Sequence, residues 1–123
     1  MPTTVTICDT CKREDWQEDD ARTHGEALAE LAESSPPRPG VRIRRHSCLM
    51  GCGNGCNVSI QATGKLCYVL GHFRPDGDSA EAILDYAAKH ATSATGQVPY
   101  REWPQGVKGH FVARLPVLND EEP

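Results

Sequence analysis

No apolar run in this 123-residue chain approaches the ~20 residues that span a bilayer, so a membrane-crossing helix is excluded. The opening residues, Met1 to Cys8, lack both the basic segment and the long apolar segment of a secretory signal. The expected compartment is therefore the reducing cytoplasm. An excess of positive charge is missing too. Thirteen Lys and Arg face 17 Asp and Glu, a net charge of −4, which gives no general case for nucleic acid. No Ser/His/Asp set, phosphate-binding loop or paired-carboxylate motif is recognisable, so nothing points to hydrolysis or phosphoryl transfer, and the chain is not expected to be an enzyme. Internal repeats and low-complexity segments are absent as well. What remains is the length of one domain and a hydrophobic content of 38%, enough for a modest core.

The pattern along the chain is that of a small α/β domain. Val5-Thr6-Ile7 is a β-branched run that delivers Cys8 to the end of a strand. An acidic loop follows, with Glu14, Asp15, Glu18, Asp19 and Asp20. Helical periodicity runs from Ala21 to about Glu33, with Ala27, Leu28, Leu31 and Ala32 on one face and Asp19 or Asp20 as the expected N-cap. The prolines at 36, 37 and 39 stop it. Val41-Arg42-Ile43-Arg44 alternates as a half-buried strand. Val58 to Gln61 and Leu66 to Leu70 read as a hairpin around Gly64. A second helix is expected from Asp78 to His90, with Asp78 and Glu81 as a capping box. The order β-α-β-β-β-α, with a parallel first pair, is the skeleton of a thioredoxin-like domain on a mixed four-stranded sheet. Residues 1–92 form that domain. Residues 93–123 are expected to be an irregular tail packed on it or trailing it, with Phe111 to Ala113 able to add an edge strand.

Six cysteines in so short a chain would suit disulfides in a secreted protein; in a reducing compartment, grouped cysteines more often bind metal. Cys8 and Cys11 form a C-x2-C pair, and Cys48, Cys52 and Cys56 form C-x3-C-x3-C with glycines between them. Glycine lets backbone N–H groups approach thiolate sulfur. Two such groups at the ends of adjacent parallel strands would meet in space, and four thiolates suit either zinc or an iron–sulfur cluster. The C-x2-C could also be a redox dithiol, although that motif normally opens a helix directly after its strand. Cys67, mid-strand and without a cysteine neighbour, is expected to be a buried structural thiol.

A strand-end cysteine, a loop cysteine, and Cys48-Leu49-Met50-Gly51-Cys52 ahead of a hairpin resemble the thioredoxin-like 2Fe–2S ferredoxins, which include the small iron–sulfur subunit of respiratory NADH dehydrogenase. The block from Cys48 to Cys56, with Val58, Gln61, Gly64-Lys65, Tyr68 and Arg114-Leu115-Pro116, is similar to a bacterial family of metal-binding proteins whose genes often lie beside those of cobalamin biosynthesis. The resemblance implies a 2Fe–2S cluster, with Cys8 and Cys11 on one iron and Cys48 and Cys52 on the other. Cys56 is the alternative ligand. It further implies one-electron transfer with a redox partner, an enzyme of cobalamin biosynthesis among the candidates, and it leaves a homodimer open. A zinc- or cobalt-binding or metal-trafficking module is the first rival reading, and a dithiol oxidoreductase the second.

The five histidines, His24, His46, His72, His90 and His110, are scattered, and none closely follows a grouped cysteine as Rieske-type ligation requires. His46 reads as a strand-end surface residue. Arg42, Arg44 and Arg45 read as a solvated strand face, or as a positive field beside an anionic cluster.

Overall fold

The computed structural model describes residues 2–12, 23–47 and 55–117. Five strands form one sheet: β1 (Thr3–Cys8), β2 (Val41–His46), β3 (Val58–Gln61), β4 (Cys67–Leu70) and β5 (Phe111–Leu115). The spatial order is β2-β1-β3-β4-β5, with β1 and β2 parallel and every other pair antiparallel. Two helices, α1 (His24–Ser34) and α2 (Gly77–Thr92), complete the expected β-α-β-β-β-α run. The sheet has five strands rather than four, because Phe111–Leu115 pairs along β4. Two 3-10 turns, Tyr100–Glu102 and Gln105–Val107, lead into it.

Both helices pack on one face of the sheet. Period-2 alternation sends Val5 and Ile7 of β1, Val58 and Ile60 of β3, and Tyr68 and Leu70 of β4 into the core, with Leu28, Ala29 and Ala32 of α1 and Ile83, Tyr86 and Ala87 of α2. Ala29 is buried where the sequence pattern favoured Ala27. β2 is an edge strand and takes little part: Val41 and Ile43 are only half-buried.

Two helix starts differ from expectation. For α1 the cap is Thr23, whose Oγ1 accepts from Glu26 N at 3.1 Å. Asp19, Asp20 and Ala21 lie outside the described residues. For α2 the cap is Asp76, whose carboxylate accepts from Ser79 N at 2.8 Å, so Asp78 falls inside the first turn. Glu81 is drawn away from a capping role by the Arg38 guanidinium, which also holds Asp85 at 2.9 Å. In the β3–β4 hairpin, Gly64 adopts φ +76°, a conformation that side chains resist.

Candidate metal centre

The topology gathers three chain segments at one end of the sheet. β1 runs out at Cys8, β2 runs out in parallel at His46, and β3, antiparallel to β1, begins at Val58 opposite Ile7. Backbone bonds tie the segments together. Cys8 N donates to Asn57 O at 3.2 Å and Asp9 N to His46 O at 3.2 Å. Ser47 Oγ donates to Asp9 Oδ1 at 3.1 Å. The N-terminus of α1 closes over the same loop, with Thr23 Oγ1 donating to Asp9 O at 2.5 Å and Gly25 N to Cys11 O at 3.0 Å. This approach needs glycine: a Cβ on Gly25 would stand 2.0 Å from Cys8 O.

Three thiols occupy this end. Cys8 and Cys11 are 1% exposed and Cys56 is fully buried, and all three are reduced. Cys56 is fixed by a reciprocal pair of backbone bonds with Phe73, each 3.4 Å. The Cys11 thiol donates to Asn57 Oδ1, and Cys8 Sγ lies 3.4 Å from Thr10 Oγ1. Burial pushes the Cys11 thiol up to about 12; the Asn57 backbone opposes this, while the nearby thiols of Cys8 and Cys56 add to it. All three sulfurs therefore share one environment. Among the described residues, however, no three His, Cys, Asp or Glu side chains converge closely enough to hold an ion.

Of the four cysteines expected as ligands, Cys8 and Cys11 are together. Cys48 and Cys52 lie outside the described residues, although both flanks of their segment, Ser47 and Cys56, meet the Cys8–Cys11 loop or its neighbours. Cys56, the alternative ligand, is the third member of the thiol group. Cys67 is remote from it, on β4 opposite Leu115, and is half-buried rather than buried. Burial raises its thiol's pKa.

Two further residues neighbour the thiols: Asn57, which the sequence reading did not single out, and His46, which it read as a strand-end surface residue. Asn57 is visible only as the residue after Cys56. His46, exposed as expected, is the register partner of Cys8. Cysteine spacing carries no signal for either, since the His46–Cys8 pairing arises from strand register and the Asn57–Cys11 bond from a side-chain contact between loops distant in the chain.

Residues 5–117 match the family described as "Protein of unknown function (DUF1636)", and the chain belongs to that family. Among curated proteins and solved structures there is no match to it.

Proposed function

We propose that the protein carries a 2Fe–2S cluster and works as a small cytoplasmic electron-transfer or cluster-carrying protein rather than an enzyme. The observation that supports this most is the burial of Cys8, Cys11 and Cys56, from two distant segments, near one another at one end of the sheet. The next residue after Ser47 is Cys48. Ser47 itself is bonded through its side chain to Asp9, in the Cys8–Cys11 loop. The ligand set is Cys8, Cys11, Cys48 and Cys52, with Cys56 able to replace one of them. A soft, thiol-only, water-poor donor set fits iron–sulfur chemistry. When bound, the cluster would supply one-electron reduction and oxidation.

The chain's own residues set the conditions. A buried thiol held protonated is a poor nucleophile, which weighs against the dithiol oxidoreductase reading. A metal ion takes the place of that proton. Cys11, once a thiolate, can only accept hydrogen bonds, so the Asn57 amide turns to present its NH2. The Thr10 hydroxyl is placed to donate to the Cys8 sulfur. The redox partner, with cobalamin biosynthesis as the pathway suggested by the resemblance, belongs to the same reading. Zinc or cobalt is the alternative occupant.

The test is protein purified without oxygen from iron-replete cells. Iron and acid-labile sulfide in equal amounts, a visible charge-transfer spectrum and a mixed-valence EPR signal on reduction are expected. Cys8→Ser, Cys11→Ser and Cys48→Ser should shift or abolish that spectrum, while Cys67→Ser leaves it unchanged. A normal spectrum in Cys56→Ser assigns Cys52 as the fourth ligand; a lost one brings Cys56 into the set. Stoichiometric zinc without sulfide would overturn the reading in favour of the zinc module.

A further inference from the structure

The helices cover one face of the sheet, and the other face carries a feature independent of the thiol group. A concave region of about 600 Å³ lies against it, in the range of small-molecule sites. Its floor is built by strand periodicity. Arg42 and Arg44 stand two apart on β2, in register with Thr4 and Thr6 of β1, so both project from the same face. Gln61 of β3 extends the row opposite Thr4.

The charge here is one-sided. The chain as a whole has a net charge of −4, yet no carboxylate is among the described residues that line the cavity. Neighbouring cations are neutralised where they stand: Arg38 by Glu81 and Asp85, and Arg45, on the opposite face, by Glu33 at 2.6 Å. Lys65 at the rim donates to the last carbonyls of α2, His90 O at 3.0 Å and Ala91 O at 2.7 Å. Arg44 is oriented by one bond, Nε to Thr6 Oγ1 at 2.7 Å, which leaves its terminal nitrogens to the cavity. Arg42 has no ion-pair partner among the described residues. Two guanidinium groups side by side without a counter-ion repel each other, and an anion bound between them removes the repulsion.

We propose that Arg42 and Arg44 form an anion site for the phosphate group of a phosphorylated small molecule. Guanidinium forks match phosphate oxygens in pairs, and the hydroxyls of Thr4 and Thr63 and the Gln61 amide supply further polar contacts. Among the described residues that line the cavity none is aromatic, and the contacts they offer a ligand are to its anionic and polar groups. Thr4 and Thr6, the register partners of Arg42 and Arg44, lie four and two residues from Cys8 along β1, about 13 and about 7 Å at strand rise, and none of Cys8, Cys11 and Cys56 is among the described residues that line the cavity.

The experiment is titration of the full chain with inorganic pyrophosphate, phosphate and succinate at low ionic strength, read by calorimetry and by backbone amide shifts. Saturable binding is expected, tightest for pyrophosphate, with shifts at Thr4, Thr63 and Cys67. Arg42→Gln and Arg44→Gln should each weaken it at least about tenfold, the size expected for a charge-assisted bond. Arg42 is an exposed residue of the edge strand, so the amide spectrum of Arg42→Gln serves as the check that the fold persists. Arg45→Gln should bind like the parent. Absence of saturation, equal loss in Arg45→Gln, or succinate binding as tightly as pyrophosphate overturns the proposal.

Discussion

His90 shows how much one buried side chain can impose. It is fully buried on α2, with Nδ1 at 2.8 Å from Thr3 Oγ1 and Nε2 at 2.8 Å from Leu66 O. The carbonyl can only accept, so Nε2 carries the proton and the Thr3 hydroxyl donates to Nδ1. Burial lowers the pKa of His90, the Lys65 charge lowers it further, and the Leu66 carbonyl partly opposes both. The unfolded chain therefore binds the proton more readily, and stability increases with pH through this window. The contribution is complete above the ordinary histidine value of about 6.5 and is lost as pH falls towards the folded value. The urea midpoint should drop between pH 7.5 and pH 5.0, above the range where Glu33 and Glu81 take up protons. In His90→Gln the midpoint should be lower at pH 7.5 and nearly flat across the same interval. A parent midpoint that does not move would refute this assignment. The sequence marked His90 only as one scattered histidine; its partners, Thr3 and Leu66, are distant in the chain and meet through packing.

At the scale of elements, strands were legible where residues alternate, because alternation directly reports two faces. Val5-Thr6-Ile7, Val41 to Arg44 and the Gly64 hairpin all appear as read. Helix starts were less legible. Asp76, Asp78, Asp19 and Asp20 are all chemically able to cap, and the choice depends on where tertiary packing begins the turn. At the thiol end, cysteine spacing identified the group but could not rank Cys56, since whether it turns inward depends on its backbone pairing with Phe73. Gly25 was not legible as a site residue at all, yet it sets how closely α1 approaches the Cys8–Cys11 loop. Gly25→Ala must displace the Cys8 carbonyl, a backbone group with little room to move. A loss of about 2–3 kcal/mol in urea unfolding is expected, at the upper end of overpacking costs. Gly77, also in a helix but with open space around its Cβ position, is the control, and Gly77→Ala should be neutral or slightly stabilising. Equal effects of the two changes would show that the close approach has no energetic role.

At the scale of the whole molecule, the boundary expected at residue 92 can be tested against what the later residues contact. Val107 is fully buried and Val98 is 5% exposed. The turn Gln105–Val107 sits on α2 so closely that a Cβ on Gly106 would lie 2.5 Å from the Ala82 Cβ. Trp103 and Phe111 meet the buried Tyr86 ring edge-on, at centroid distances of 6.2 and 5.4 Å, and Trp103 Nε1 donates to Val98 O at 2.8 Å. His110 stacks at 4.3 Å on Phe73, the same residue that pairs with Cys56. The two valines alone account for about 3–6 kcal/mol of apolar burial, an upper bound for an extended reference chain. Total stabilities are about 5–15 kcal/mol, so little remains once Tyr68 and Tyr86 are also uncovered. A chain ending at Thr92 should therefore lose its cooperative thermal transition and its dispersed amide spectrum, even though it retains both helices, four strands and all six cysteines. The full chain should unfold in one step. If the 1–92 chain unfolded cooperatively at the parent's Tm, residues 93–117 would be an appendage. The opposite result makes β5 and the turns before it part of the one core that also holds the thiol end of the sheet in place.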